Sequence, residues 1–285
     1  MRVLVTGASG QLGRALQASL RAHETIALGH AQLDITDAAA ARRAIADAHP
    51  QVVVHSAAWT DTTGCERDPE RAMLVNGEGA RKIAEACHEA GAAMLYVSTN
   101  EVFDGEKGSP YVEDDEPNPI NAYGRSKLAG EIAVRETLPE HYIVRTSWVY
   151  GPGRVSFPEK ILLNAAEQKK LRVVTDEIAS PTWTNDLAEA ITLLIDTGEY
   201  GTYHLAGEGE CSRAEWAEEV LRLADVDVPV EETTQAALEL PARKPVRSTL
   251  ANNSAAALGI RLRPWQEALA DHMRLVAETK AGASA

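Results

Sequence analysis

The chain has 285 residues, of which 45% are hydrophobic and 25% are charged, and its formal net charge is −14. This length and composition are typical of a folded protein with one large α/β domain and a smaller appended lobe. The strong negative charge argues against partners such as nucleic acid or anionic membrane surfaces, and no apolar run is long enough to span a bilayer.

The first residues, Met1 to Thr6, run directly into a strand-like segment without the charged and apolar regions of a leader peptide. The three cysteines, Cys65, Cys87 and Cys211, are widely spaced and fit neither a disulfide framework nor a zinc site. We therefore expect a cytoplasmic protein without a bound metal.

Short apolar strands alternate with helical segments through the first half of the chain. We predict strands at residues 2–6, 25–28, 52–55, 93–97 and 142–145, and helices at 11–22, 37–48, 69–90 and 123–136. Such alternation is typical of parallel strands that are buried on both faces. The pattern predicts an α/β fold with a doubly wound parallel sheet of the Rossmann type.

The pattern changes after residue 150, at the break Gly151-Pro152-Gly153. The helical and strand-like segments beyond it are shorter, and residues 226–245 are rich in proline and charge, which predicts loops. We expect residues 1–150, rejoined by 175–205, to form the larger, sheet-containing domain. Residues 151–174 and 206–285 would form a smaller C-terminal lobe, with a substrate cleft at the junction.

A glycine motif follows the first predicted strand and opens the first predicted helix. Gly7 permits the tight turn, Gly10 lets a pyrophosphate approach the backbone amides, and Gly13 lets the helix pack closely on the sheet. The free N–H groups and partial positive charge at the helix start attract phosphate. An acidic protein can therefore hold an anionic dinucleotide here.

The second predicted strand ends in Leu28-Gly29-His30-Ala31. No carboxylate is present to bind a ribose 2′-hydroxyl or to repel a 2′-phosphate, and no arginine is present to bind the phosphate. His30 can take part of that role. The segment favours NADPH and leaves NADH open.

Tyr123 and Lys127 lie four residues apart in a predicted helix, so their side chains share one face. The lysine ammonium is expected to lower the pKa of the phenol, which can then protonate a carbonyl oxygen as hydride reaches the carbon. Lys127 can also hold the nicotinamide ribose. Thr99 ends the fourth predicted strand, where its hydroxyl can hydrogen-bond the same carbonyl.

Five segments occur in order along nearly the whole chain: SAAWT at 56–60, STNEVFDG at 98–105, NAYGRSKLAGE at 121–131, RTSWVY at 145–150 and PTWT at 181–184. Together they resemble the dTDP-4-dehydrorhamnose reductase family of extended short-chain dehydrogenases/reductases. The resemblance implies hydride transfer from NADPH or NADH to the 4-keto group of a nucleotide-linked 6-deoxysugar, converting dTDP-4-dehydro-L-rhamnose to dTDP-L-rhamnose.

The resemblance also implies roles for individual residues. The catalytic residues would be Tyr123, Lys127 and Thr99, and the sugar would contact Thr99, Asn100 and Trp148. Cofactor contacts would come from the glycine loop with Gln11 and Leu12, from Asp34 and Ile35 near the adenine, and from Ala57, Ala58 and Trp59 after the third strand.

Some alternatives stay open at this point. Asn100-Glu101 stands where the family usually has Asp-Tyr, so a related sugar or another nucleotide carrier is not excluded. Arg243 and Arg247 suit a substrate diphosphate, although a solvated charge run explains them equally well. Other candidate functions are a nucleotide-sugar epimerase or dehydratase on the same scaffold, and a regulatory subunit like that of methionine adenosyltransferase. A homodimer is also left open.

Overall fold

The computed structural model describes residues 1–239 and 241–283. Residues 240, 284 and 285, which belong to the predicted smaller lobe, lie outside this described part. Its strands, in chain order, are β1 (Arg2–Thr6), β2 (Glu24–Leu28), β3 (Val52–His55), β4 (Ala93–Thr99), β5 (His141–Thr146), β6 (Val149–Tyr150), β7 (Leu171–Val174), β8 (Ile178–Ala179), β9 (Thr182–Trp183), β10 (Gly201–His204), β11 (Cys211–Ser212) and β12 (Val230–Thr233).

The α-helices alternate with these strands. In the same part of the chain they are α1 (Gln11–Ser19), α2 (Ala38–Ala48), α3 (Thr62–Arg67), α4 (Pro69–Ala72), α5 (Gly79–Ala90), α6 (Ala122–Thr137), α7 (Phe157–Glu167), α8 (Thr184–Thr197), α9 (Arg213–Leu223), α10 (Gln235–Leu238), α11 (Asn253–Ala257) and α12 (Trp265–Ala283). None of the helices described is both long and apolar enough to cross a membrane.

The main sheet is parallel throughout, with the strand order β10-β5-β4-β3-β1-β2. This confirms the predicted doubly wound α/β fold. The order in which the chain adds strands reverses between β1 and β3, which lie side by side: β2 is added on one side of β1, and β3, β4 and β5 follow on the other. Ligands of such sheets bind outside the carboxyl ends of the strands at this reversal. The glycine loop after β1 and the loop after β3 lie at that place.

Each face of the sheet is covered by helices. On one face Leu16 of α1 and Leu187 and Ile191 of α8 pack on the β-strands, and on the other face Ile45 of α2 and Ile83 of α5 do so. The first of these cores also contains three residues from beyond position 250: Ala255, Ile260 and Leu262. The chain between 250 and 262 therefore packs against the larger domain, although we predicted it within the smaller lobe.

The smaller lobe has a separate core built around Trp216 of α9, Leu269 of α12 and Ile161 of α7. The prediction of loops over residues 226–245 was wrong at two places, because β12 pairs in parallel with β7 and α10 follows it. The pairing partner lies about sixty residues earlier in the chain, so local composition does not reveal it.

The single helix predicted at 69–90 is interrupted. Residues Met73–Glu78 form a π-helical turn between α4 and α5. π-Helical turns are uncommon in proteins, and those that occur are often found at functional sites. This turn contains Asn76, which is 1% exposed.

Candidate active site

The glycine loop is closely packed on the loop after β3. Gly7 has a φ of +69°, and a Cβ atom at this position would lie 2.7 Å from the Ala57 nitrogen. A Cβ atom at Gly13 would lie 2.3 Å from the Gly7 oxygen, so helix α1 approaches the loop too closely for any side chain. Gly10 is the N-cap residue of α1; it is exposed and offers no side chain to cap the helix. The first N–H groups of α1 are therefore open to an anionic ligand.

The predicted residues around this loop have different environments. Leu12 and Ile35 have buried side chains in the two cores of the sheet, so only their backbones can meet a cofactor. His30 is exposed at the end of β2. Asp34 is exposed too, and its carboxylate accepts hydrogen bonds from the backbone and hydroxyl of Thr36, which lower the pKa of Asp34. The Gln11 side chain donates to the backbone oxygen of Gly151.

The segment after β3 is held by a residue that sequence reasoning missed. The Asn76 side chain accepts from the Trp59 nitrogen at 2.8 Å and donates to the Trp59 oxygen at 3.0 Å. It also donates to the Ser126 hydroxyl of α6. Asn76 thus fixes Trp59, and with it Ala57 and Ala58, against the helix that carries Tyr123. The π-helical turn brings it there, and the sequence contains no signal for that turn.

Tyr123 and Lys127 lie on one buried face of α6. Asn121 caps this helix by accepting from the Gly124 nitrogen, and Lys127 is 2% exposed. The Lys127 ammonium lies 4.0 Å from the centre of the Tyr96 ring and makes no hydrogen bond within the described residues. Burial lowers the pKa of Lys127 to about 7, against the attraction of the Glu131 carboxylate. The lysine is thus free to bond a ligand hydroxyl.

The pKa of Tyr123 is displaced in the direction opposite to our prediction. Burial raises it, and the carboxylate of Glu101 raises it further, while hydrogen bonding from Thr99 acts against both. Lys127 is not among the groups that shift it, since its ammonium lies over Tyr96 instead. The phenol is therefore protonated at neutral pH and is suited to donate a proton.

Thr99 and Asn100 lie at the carboxyl end of β4, next to Tyr123. The Thr99 oxygen accepts from the Glu101 nitrogen at 3.2 Å and its hydroxyl reaches the Asn100 side chain. The Asn100 amide nitrogen is already used, because it donates to the Ser248 hydroxyl at 2.7 Å. At the end of the neighbouring strand β5, the buried hydroxyls of Thr146 and Ser147 have no partner among the described residues. Because Thr146 is paired with Thr99, these hydroxyls lie at the same end of the sheet as Thr99 and Asn100.

Trp148 has an unusual backbone conformation, with a φ of +42°. Its ring is stacked on Trp216 at 5.5 Å, and the Arg213 guanidinium lies 3.6 Å from the ring centre. Arg213 is itself held by Glu177. Non-glycine residues with this conformation are concentrated at ligand-binding sites. Sequence reasoning selected Trp148 but not Arg213, which lies 65 residues further along the chain.

The two predicted diphosphate-binding arginines differ. Arg243 is 72% exposed and lies 4.0 Å from Glu106. The guanidinium of Arg247 is engaged by Glu210 at 2.7 Å and by the Gly108 oxygen. Lys244, which lies between them and which we did not select, is the basic residue that contacts the Tyr123 region. In the part of the chain described, no group of three or more His, Cys, Asp or Glu side chains could hold a metal ion.

The donor set fits a nicotinamide dinucleotide. The exposed start of α1 suits a pyrophosphate, and the tight contact between Gly7 and Ala57 leaves the loop backbone uncovered by side chains. The unbonded ammonium of Lys127 and the unpartnered hydroxyls of Thr146 and Ser147 suit a ribose and a substrate. Together these groups can bind a cofactor and deliver a proton beside it.

The chain is similar to proteins of known activity over most of its length. A family model described as the RmlD substrate binding domain matches residues 1–277. A dTDP-4-dehydrorhamnose reductase of Streptomyces griseus is 44% identical over 280 residues, covering 95% of this chain and 92% of that protein.

Two solved structures are also close to this one. A dTDP-4-dehydrorhamnose reductase from Clostridium acetobutylicum has a TM-score of 0.94 and 37% identity, covering 97% of this chain and 100% of that chain. Another, from Bacillus anthracis in complex with NADP, has a TM-score of 0.92 and 35% identity, covering 95% and 98%.

Proposed function

Because this chain belongs to the family described by the RmlD substrate binding domain, we propose that it is a nicotinamide-dependent reductase of a nucleotide-linked 6-deoxysugar. The reaction is hydride transfer from NADPH or NADH to the 4-keto group of dTDP-4-dehydro-L-rhamnose, giving dTDP-L-rhamnose. The observation that carries the proposal is the buried pair Tyr123 and Lys127 on one face of α6, beside Thr99 at the end of β4.

The carboxyl ends of β1 and β3 would hold the cofactor. The backbone of residues 7–13 would bind its pyrophosphate, and Lys127 would bind its nicotinamide ribose. Residues 57–59 would line the cofactor, with His30 and residues 34–35 toward its adenosine. The absence of a carboxylate directly after β2 and the NADP complex of the Bacillus anthracis relative both favour NADPH.

The reduction needs a hydride and a proton. When bound, the reduced nicotinamide supplies the hydride. Tyr123 holds its proton at neutral pH, because burial and Glu101 raise its pKa, and gives it to the oxygen of the 4-keto group. The Thr99 hydroxyl orients that oxygen and stabilises its developing charge. Lys127, on the same face of α6, acts at the ribose rather than on the phenol itself.

The substrate lies between the two parts of the molecule. We assign cofactor binding to residues 1–150 with 175–205, and substrate binding mainly to 151–174 and 206–285. Asn100 and Trp148 contact the sugar, and Arg243 and Arg247 lie at its diphosphate. The enzyme works in the cytoplasm. The proposal includes a homodimer, and light scattering of the purified protein tests it.

The test measures oxidation of NADPH and NADH in the presence of dTDP-4-dehydro-L-rhamnose (also named dTDP-6-deoxy-L-lyxo-4-hexulose), generated in situ. We expect Tyr123→Phe to lower kcat by roughly 10²- to 10⁴-fold, because it removes the proton donor without changing the ring. Tyr200→Phe is the matched control, since Tyr200 is 47% exposed and packs against Tyr142 near the amino end of β5. Equal rates for the wild type and Tyr123→Phe would refute the assignment of the donor.

The other candidate functions predict different outcomes. An epimerase or dehydratase retains its dinucleotide through gel filtration and oxidises no added NADPH, whereas a reductase exchanges it at each turnover. A regulatory subunit binds the dinucleotide without turnover and co-purifies with a synthetase. Absence of substrate-dependent oxidation by a folded, NADPH-binding wild type would favour one of these.

A further inference from the structure

The polypeptide at residues 241–248, here called the strap, connects the smaller lobe to the end of β4. On one side, the Ile178 nitrogen of β8 donates to the Val246 oxygen and the Ser248 nitrogen donates to the Ile178 oxygen. On the other side, the Arg247 nitrogen donates to the Gly105 oxygen and Asn100 donates to the Ser248 hydroxyl. The strap thus follows the loop that begins with Thr99 and Asn100.

One ion pair joins the strap to the candidate active site. The Lys244 ammonium lies 2.9 Å from a carboxylate oxygen of Glu101, and the two side chains are only 17% and 15% exposed. The other carboxylate oxygen of Glu101 accepts from the Asn121 amide at 2.7 Å. That same amide donates to the Arg243 oxygen of the strap at 3.0 Å. Since Asn121 caps α6, the strap and Glu101 are both bonded to the start of the helix that carries Tyr123.

The Glu101 backbone is packed against the same turn. A Cβ atom at Gly124 would lie 2.1 Å from the Glu101 oxygen, so the position next to Tyr123 tolerates no side chain. The Glu101 nitrogen donates to Thr99. Glu101 therefore contacts both the residue next to the proton donor and the hydroxyl that orients the carbonyl. On the lobe side, Lys244 is fixed by two hydrogen bonds between its backbone and the Gln235 side chain.

We propose that Glu101 is a positioning residue for the reduction: together with Lys244 it clamps the strap onto the capped start of α6 and so holds Tyr123 and Thr99 in register with the bound sugar. The proposal rests on the reductase function proposed above. Glu101 acts through Asn121, through Lys244 and through its charge. Glu101 stands where the family usually has a tyrosine. A carboxylate here needs a basic partner, and Lys244 of the strap supplies it.

The charges around Tyr123 determine how each half of the pair acts. Glu101 is the carboxylate that raises the pKa of Tyr123, and Lys244 partly neutralises it. The other titratable or charged groups packed around this place are Asp61, Cys65 and Glu66 on or before α3, Tyr96 on β4, Arg125 and Lys127 on α6, and Arg243 on the strap. None of these others bonds the Glu101 carboxylate among the described residues.

The test compares Glu101→Gln with Lys244→Met. Gln keeps the shape of the side chain and an oxygen for Asn121 but removes the negative charge. Without that charge the pKa of Tyr123 should fall. The alkaline limb of the pH profile of kcat/KM should therefore move to lower pH, by about one unit. Lys244→Met leaves the negative charge unneutralised, so the limb should move to higher pH. A purely structural role would give both variants the same change. Limbs that do not move, or that move in the same direction, would overturn the proposal.

A second readout is independent of turnover. Amide hydrogen exchange should become faster at residues 121–126 and 242–248 in both variants, because each lacks the ion pair. The control is Glu231→Gln, which breaks the exposed pair with Lys170 in the smaller lobe and should leave exchange at these residues and the pH profile unchanged. Exchange at wild-type rates in both test variants would refute the clamp. A wild type that reduces no 4-keto sugar would refute the proposed function, and exchange would still decide the clamp.

Discussion

Lys127 is held almost out of solvent, with its ammonium over the ring of Tyr96 and without a hydrogen-bond partner among the described residues. Its pKa of about 7, caused by burial, lies well below the value of 10.5 that an exposed lysine has. Between these two values the unfolded chain binds a proton that the folded chain does not. Stability therefore falls as the pH drops from 10.5 to 7, and the cost is fully present below pH 7. Strongly shifted pKa values are concentrated at functional sites, so this destabilised lysine indicates a binding site for an anionic or hydroxylated ligand.

Lys127→Met should therefore stabilise the fold near neutral pH while abolishing reduction. At about 1.4 kcal/mol per unit of pKa shift, we expect the free energy of unfolding to rise by a few kcal/mol at pH 6. The gain should shrink steadily toward pH 10. Urea unfolding at pH 6, 8 and 9.5 measures it. A gain that does not depend on pH would mean that Met packs better for another reason and that Lys127 is not destabilised by its charge.

At the scale of elements, the loop and first turn between β1 and α1 use two glycines for different purposes. Gly13 is required by the fold, since its Cβ would overlap the Gly7 oxygen, whereas a Cβ at Gly10 would meet only that oxygen at 3.2 Å. Gly13→Ala should therefore lower the free energy of unfolding by about 1–3 kcal/mol, as overpacking does. Gly10→Ala should keep the wild-type Tm but weaken NADPH binding by about tenfold or more, because its methyl group faces the pyrophosphate.

Thermal unfolding and NADPH fluorescence titration of the two variants separate these effects. Each variant is the control for the other, since both make the same chemical change three residues apart. Wild-type NADPH affinity in a folded Gly10→Ala variant would place the pyrophosphate elsewhere.

The same elements show what the sequence predicts and why it stops there. The glycine loop, five of the six parallel strands and the Tyr123–Lys127 face depend on spacing within single elements, and spacing is visible in the sequence. Asn76 acts through a π-helical turn, and Glu101 meets Lys244 across 143 positions. The direction of the Tyr123 pKa shift depends on how deeply the phenol is buried and on the nearby Glu101 carboxylate. None of these has a local signal.

At the scale of the whole molecule, the two parts are connected through the interior. The chain between 250 and 262 returns to the sheet of the larger domain, and His204 at the end of β10 lies beneath it, fully buried. One His204 ring nitrogen lies 3.1 Å from the Ala251 oxygen, and the other has no partner among the described residues. Burial, together with the charge of Arg145, lowers the pKa of His204 to about 3.

Acid should therefore destabilise the molecule through this junction. An unfolded histidine takes up its proton near pH 6.5, whereas folded His204 does not until about pH 3, so stability is lost as the pH falls between these values. His55, buried beside Lys127, also has its pKa lowered to about 3 and adds to the same loss. Each such group contributes at most about 1.4 kcal/mol per pH unit to the slope.

His204→Asn removes one titrating group, so the fall in the free energy of unfolding between pH 6.5 and 4.5 should become shallower by about that amount, whatever the variant costs at neutral pH. The comparison of slopes is thus insensitive to the cavity that the smaller side chain leaves. His88→Asn, at an exposed position on α5, should keep the wild-type slope. An unchanged slope in His204→Asn would mean that His204 takes up its proton while the molecule is still folded.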